Sequence, residues 1–434
     1  MTKFIIQGGT PLKGDIKVGG FKNAATAILA ASLLTNEETT IENVPQIIDV
    51  TRMIELLRSL GARVTFSQSG YVVVHAKNIT CANMSEEAVK SMRSSALLLA
   101  PLFSRCGKFM LPEPGGCVLG NRPLSTHIHA LRELGMDITE RVDSSGKIFL
   151  DCKSSRLKGK TIVMSEFSVT ATENALMAAV LAEGVTVIKN AALEPHVIDL
   201  IKFLDSMGAK IEEKTGHTIK ITGVKKLHGT HHKVIPDMLE AGTLFVAAAL
   251  LGRGVVVHGL VLDHMDSVLA KMREIGVKFE TGKNGEKGEF VKILPSPKLK
   301  SFHLQSMIYP GFPTDLQPQF SLLATQAEGL SLIHDPLFDN RLEHIASFVK
   351  MGARAIKCDP HRAVIYGPTQ LHGYEFKSPD IRAGMALLIA GMRAHGETVI
   401  HNAEIIDRGY AEIDTRLNAL GAQIQRVSED KDKV

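Results

Sequence analysis

The chain has 434 residues, too many for one hydrophobic core and suited to two or three domains. Apolar residues make up 44% and charged residues 22%, the balance of an ordinary globular protein, and no apolar window reaches the roughly 18 residues of a membrane helix. A net charge of +4 with scattered basic residues lacks the stripe that grips nucleic acid, so neither nucleic acid nor membrane insertion is expected.

Met1-Thr2-Lys3 leads straight into a strand-like Phe4-Ile5-Ile6, with no secretory leader, and a cytoplasmic protein is expected. A helix apolar on most faces follows at 24–34 and recurs at 94–102, 171–181, 240–251, 319–327 and 382–392. Ala, Gly and Ser dominate these copies, and a helix apolar all round is a buried one. A second, amphipathic helix alternates with it. Each copy ends in glycine before a β-branched exit, at Gly61, Gly135, Gly208, Gly276, Gly352 and Gly421, 68 to 76 residues apart. Glycine there lets the chain turn through the left-handed region on its way into a strand. Short strands are predicted at 71–74, 161–164, 218–221 and 291–294. The period predicts an α/β protein of six units of about 70 residues, too large for a thin solenoid and suited to two bodies of three; buried helices under outer sheets are compatible with the repeat, but the period does not say how units close into bodies.

Inside the second unit, between its buried helix and its amphipathic helix, lies Pro114-Gly115-Gly116-Cys117-Val118-Leu119-Gly120-Asn121-Arg122-Pro123. Its glycines allow close approach to a ligand, and its prolines limit the loop's freedom. A nearby guanidinium favours the thiolate of Cys117, and Arg122 has the fork that grips a phosphate. By itself the loop reads equally as a Gly/Pro surface turn. The five cysteines (81, 106, 117, 152 and 358) show no CxxC pair and no zinc spacing, which predicts reduced thiols. His231-His232 would point to opposite faces of a strand, and no GxGxxG opens a helix, so neither metal nor cofactor is expected.

Taken in order, a set of short motifs resembles the bacterial enolpyruvyl transferases along essentially the whole chain. They are Lys22-Asn23-Ala24, Met92-Arg93-Ser94, Pro114-Gly115-Gly116-Cys117 with Gly120 and Arg122-Pro123, Glu194-Pro195 and Pro236-Asp237. Phe312-Pro313-Thr314-Asp315, Asn340-Arg341, Asp380-Ile381-Arg382 and Asp407-Arg408-Gly409-Tyr410 complete the set. The resemblance implies a two-domain inside-out α/β barrel with three units per domain around an interdomain cleft. One domain would span 22–235, and the other 1–21 with 236–434. It also implies transfer of enolpyruvyl from phosphoenolpyruvate to the 3′-hydroxyl of UDP-N-acetylglucosamine, with loss of phosphate, as the first committed step of peptidoglycan synthesis. Oligomeric state is not legible, a monomer being the expectation.

Residue roles follow from the same resemblance. Cys117 would be the general acid, able to add to phosphoenolpyruvate and open to alkylation by fosfomycin. Asp315 would accept the hydroxyl proton, its alternative being an N-cap for the helix after it. Lys22 and Arg408 join Arg122 around phosphate and carboxylate, with Arg382 a further candidate. Asn23 and Arg93 would lie near the acceptor and diphosphate. Pro123, Leu124, Ser125, Ser168, Val169 and Thr170 would line the nucleotide end. Glu194, Asp237, Arg341 and Asp380 complete the binding set, with Glu194 and Arg341 assigned to domain closure.

Several positions depart from the family pattern. Leu124-Ser125-Thr126-His127 stands for Val-Asp-Leu-His, and Ser168-Val169-Thr170 for Ser-Val-Gly. Met238 follows Pro236-Asp237 in place of arginine, His196 follows Glu194-Pro195 in place of glutamate, and Asp339 precedes Asn340-Arg341 in place of glutamate. The residues of the chemistry are kept and the nucleotide end is rebuilt. Two alternatives stay open: a different acceptor, and a non-catalytic paralogue that binds a nucleotide sugar.

Overall fold

The computed structural model describes residues 2–81, 84–115, 124–154 and 156–428. Its described residues form two compact units, 20–115 with 124–235, and 2–19 with 236–428. Cys117, Arg122 and Pro123 lie outside the described residues.

The 20–235 unit contains α1 (Lys22–Ala31), α2 (Ile48–Ser59), α3 (Glu86–Ser91), α4 (Leu99–Cys106), α5 (Ser125–Glu133), α6 (Val169–Ala179) and α7 (Pro195–Ser206). Every residue of α1 from Ala24 to Ala31 is buried, as is every residue of α6 from Ala171 to Ala179. Small side chains let such helices pack together, and α6 meets α4, α5 and α7. By contrast, α2 buries one face (Val50, Met53, Ile54, Leu57) and exposes Thr51 and Glu55. The expected helix at 94–102 is reorganised. Arg93–Leu98 forms a 3-10 turn, and the α-helix begins only at Leu99. Pro101 explains the delay, because its missing N–H is tolerated in a first turn and not deeper.

The other unit holds α8 (Met238–Leu251), α9 (Asp266–Ile275), α10 (Gln317–Gln326), α11 (His344–Lys350), α12 (Ile381–Arg393) and α13 (Ile413–Asn418). The three apolar helices α8, α10 and α12 pack on one another. Among the described residues each unit carries three sheets, all four-stranded except one of three. The strand Thr2–Gln7 lies between Glu397–His401 and Gln423–Ser428, antiparallel to both, with Phe4 opposite Ile400 and Arg426. The N-terminus thus completes the last sheet of the C-terminal unit. His231–Lys233 similarly returns to pair in parallel with Glu38–Glu42, closing the first sheet of the 20–235 unit. All six exit glycines have φ between 89° and 107°.

One cysteine expectation is corrected. Cys81 and Cys106 form a disulfide, with Cα atoms 6.3 Å apart. Their 25-residue separation hides a tertiary contact between the chain after one strand and the end of α4. Cys152 is a free buried thiol, its pKa pushed up to about 12 chiefly by burial, whereas free Cys358 is exposed. Among the described residues no helix is long and apolar enough to cross a membrane.

Candidate active site

Asp315 sits in a 3-10 turn, Thr314–Leu316, reached through Phe312-Pro313 and leading into α10. Its two oxygens are held by two arginines. Arg341 donates through Nη2 to Oδ1 and Arg382 through Nε to Oδ2, the latter at 3.1 Å. Both guanidiniums are buried, Arg341 at 2% exposure and Arg382 at 4%. Arg341 is aimed by its Nε, which donates to the carbonyl and hydroxyl oxygens of Thr314 at 3.1 and 3.0 Å. Thr314 in turn donates to buried Asp335 at 2.6 Å. Burial works against the charge of Arg382, yet Tyr410, Asp315 and Asp237 together hold its pKa above the usual value. The capping alternative for Asp315 fails: Leu316 occupies the cap of α10, which has no side-chain cap bond.

Two other carboxylates do the capping. Asp380 accepts from the backbone N–H groups of Arg382 and Ala383 at 2.8 and 3.0 Å at the start of α12. Asp237 accepts from those of Leu239 and Glu240 at 2.8 and 3.2 Å at the start of α8. Burial pushes Asp237 up to about 6 against the pull of Arg382. Expected to bind substrate, both have their carboxylates engaged in helix starts, and Met238 is simply the first residue of α8. Arg408 ends the 3-10 turn Ala403–Arg408 and is half-buried.

In the 20–235 unit, Lys22 and Asn23 open α1, directly before the apolar run that begins at Ala24. The ammonium bonds Asp49 at 3.1 Å, a carboxylate buried in the first turn of α2. Phe21 packs edge-on against His196, with ring centres 4.9 Å apart. Glu194 precedes the first residue of α7 without capping it through its side chain. Buried Glu173 in α6 is held well above the usual carboxylate range by burial and then by Glu194. Arg93 begins its 3-10 turn.

Leu124 and Ser168 occupy the cap positions of α5 and α6, and neither helix has a side-chain cap bond. Ser125, Val169 and Thr170 lie in the first turns, where backbone N–H groups lack partners within the helix. α5 and α6 pack together, and a polar chain crosses between them. Thr170 Oγ1 lies 3.0 Å from His127 Nε2, and His127 Nδ1 lies 3.0 Å from Asn174 Nδ2. Asn174 donates to the Ala96 carbonyl at 2.9 Å and accepts from Ala100 N–H at 3.2 Å, which fixes its amide orientation. His127 Nδ1 therefore accepts, and Nε2–H donates to Thr170. Sequence reasoning gave roles to neither His127 nor Asn174. For Asn174 the signal was a polar residue inside a mostly apolar helix; His127 sits among other polar residues of α5 and carried no such signal. Tyr410 and Asp49 were likewise unassigned. His231 and His232 face apart, one to Glu42 and the other to Asp199. Among the described residues no group of three or more His, Cys, Asp or Glu could hold a metal.

Six sheets with their helices, three to each unit, give the fold of the enolpyruvyl transferases. The chain belongs to the EPSP synthase (3-phosphoshikimate 1-carboxyvinyltransferase) family, whose model matches residues 6–417. It is 43% identical over 435 residues to UDP-N-acetylglucosamine 1-carboxyvinyltransferase of Koribacter versatilis, covering 99% of this chain and 97% of that one. Against UDP-N-acetylglucosamine 1-carboxyvinyltransferase 1 of Carboxydothermus hydrogenoformans it is 41% identical over 431 residues, covering 99% and 100%. The crystal structure of the enolpyruvyl transferase NikO from Streptomyces tendae superposes with a TM-score of 0.88 at 25% identity, covering 99% of both chains. EPSP synthase from Acinetobacter baumannii, at 21% identity and a TM-score of 0.76, shares the fold, covering 99% and 100%.

Proposed function

We propose that the chain transfers the enolpyruvyl group of phosphoenolpyruvate to the 3′-hydroxyl of UDP-N-acetylglucosamine and releases phosphate, the first committed step of peptidoglycan synthesis. The observation that carries this reading is the full-length match, at 41 to 43% identity, to relatives named for that transfer. The reaction protonates C3 of phosphoenolpyruvate while the acceptor oxygen bonds to C2. The tetrahedral adduct then loses phosphate and one C3 proton.

Asp315 takes the proton of the attacking hydroxyl. Both its oxygens are oriented by guanidiniums, which fixes the direction from which a carboxylate can take that proton. Lys22, Arg122, Arg408 and Arg382 offset the charge of a trianionic substrate as phosphate departs. Cys117 delivers the proton to C3 and can add to phosphoenolpyruvate. Asn23 and Arg93 hold the acceptor and its diphosphate. Leu124, Ser125, Ser168, Val169 and Thr170 read the nucleotide end, with the Thr170 hydroxyl placed by His127. Glu194 and Arg341 act in closure. A monomer working in the cytoplasm is part of the same proposal.

The test is phosphate release from phosphoenolpyruvate with and without UDP-N-acetylglucosamine, in the native protein and in Cys117→Ala. Release that needs both the acceptor and the thiol supports the reading. Phosphoenolpyruvate binding without turnover moves the search to other acceptors. Binding of neither substrate overturns it.

A further inference from the structure

Tyr410 is fully buried although its ring ends in a hydroxyl. A buried phenol needs hydrogen-bond partners, and Tyr410 has two. Arg382 Nη1 donates to it at 3.0 Å, and Thr243 Oγ1 lies 3.0 Å away. The direction of each bond follows from the groups. A guanidinium only donates, so the tyrosine oxygen accepts from Arg382. Thr243 gives its single proton to the Leu239 carbonyl at 2.8 Å, one turn back on α8. Tyr410 therefore donates to Thr243, and burial keeps its phenol protonated. The result is a one-way chain from Arg382 through Tyr410 and Thr243 to a backbone carbonyl. It joins α12, the segment after the Ala403–Arg408 turn, and α8.

The other edge of the Arg382 guanidinium meets Asp315 Oδ2 at 3.1 Å. Its centre also lies 5.3 Å from the Tyr410 ring centroid, so hydroxyl and ring act on the same cation. We propose that Tyr410, braced by Thr243, is a positioning residue for the reaction: it fixes the Arg382 guanidinium and, through it, the Asp315 carboxylate that takes the acceptor proton. This rests on the assignment of Asp315 as the base. Without the hydroxyl, the buried Nη1–H loses its acceptor and the guanidinium turns to find another. Asp315 Oδ2 then loses its orientation. A base must aim a lone pair within hydrogen-bond reach of the proton it removes, and small displacements there are felt in turnover.

A purely structural role makes a different forecast: lower stability with unchanged turnover of the folded protein. Phosphate release at saturating substrates, with thermal unfolding of each variant, separates the two. Tyr410→Phe keeps the ring and is expected to lower kcat roughly tenfold or more, with both KM values within about threefold of the native protein. Thr243→Val is expected to lower kcat in the same direction and Thr243→Ser to restore it. The Tyr410→Phe, Thr243→Val double variant is expected to be no slower than Tyr410→Phe alone, because both act through one chain. Folded Tyr410→Phe with kcat within about twofold of native, beside inactive Asp315→Asn, overturns the proposal and leaves the base assignment standing. Turnover retained by Asp315→Asn overturns the base assignment and this proposal with it. If Tyr410→Phe does not fold, the Thr243 pair decides, and equal kcat in Val and Ser variants overturns the proposal.

Discussion

The two units hold their candidate site residues by different means. In the C-terminal unit the organising groups are charges placed in the interior. Two buried guanidiniums grip Asp315, and beside them His344, whose Nδ1 lies 3.0 Å from the Arg341 carbonyl, is held neutral down to about 3 by burial and by Arg341. In the 20–235 unit a neutral chain, Thr170–His127–Asn174, spans two helix starts, and a disulfide ties the end of α4. Its site ion pair, Lys22–Asp49, is enclosed too, with the lysine side chain 17% exposed against 30% for Asp315, so the contrast lies in the two buried arginines. Interior charge suits the movement of a proton, because it acts undiluted by water. Neutral hydrogen bonds suit the reading of an uncharged nucleotide edge, where direction matters more than charge.

The largest expected effect breaks the charged half. Asp315→Asn keeps the shape of the cluster and removes the proposed base, and phosphate release should fall by roughly a thousandfold. A variant that keeps a substantial fraction of native turnover would sink the assigned role. Acid should also strain this unit. The folded pKa of His344 is lowered to about 3 from the ordinary 6.5, so the unfolded chain takes up the proton first. Its stabilising effect is complete above the ordinary value and is lost as pH falls from there toward 3, with a slope of up to about 1.4 kcal/mol per pH unit. His344→Gln, whose amide can still donate to the Arg341 carbonyl, should flatten that slope in denaturant titrations from pH 7 to 4. Parallel curves for variant and native protein would show that His344 does not carry it.

The other unit should respond to reductant instead. Reducing Cys81–Cys106, or Cys106→Ser, should lower stability by about 3 to 4 kcal/mol, since the bridge closes a loop in the unfolded chain. Thiol titration of the unfolded native protein should find two more thiols after reduction than before. An unchanged count breaks the contrast between the units. The smallest effect sharpens it. Thr170→Val removes the acceptor of His127 Nε2–H and should cost about 1 kcal/mol of stability. It should also raise KM for the UDP-sugar several-fold with little change in kcat, the signature of lost uniform binding, and Thr170→Ser should restore both. A fall in kcat alone would place Thr170 with the chemistry.

Much of the fold was legible because its signals are local. The period of the exit glycines, the apolar helices and the amphipathic partners reflect helix geometry and the need for φ > 0 at six turns, and the structure shows both at those positions. The site was legible in part. Lys22 and Asn23 immediately precede the apolar run expected to be helical and form the first turn of that helix. Asp237 and Asp380 carried the pattern of caps, an acidic residue directly before an apolar helix, although the resemblance drew them to substrate. Asp315 carried a similar pattern and went the other way, to arginines 26 and 67 residues downstream.

By itself the sequence determined the six-unit α/β architecture, the burial of the apolar helices and the family, since each rests on patterns within a few turns of chain or on motifs in order. Only the tertiary structure decided that Asp315 is shared by Arg341 and Arg382, that Tyr410 meets Thr243 across 167 residues, and that Cys81 finds Cys106. Those pairings depend on which repeat packs against which and in what register. No local period encodes that, because it is set when distant segments bury their faces together and every enclosed polar group must find a partner.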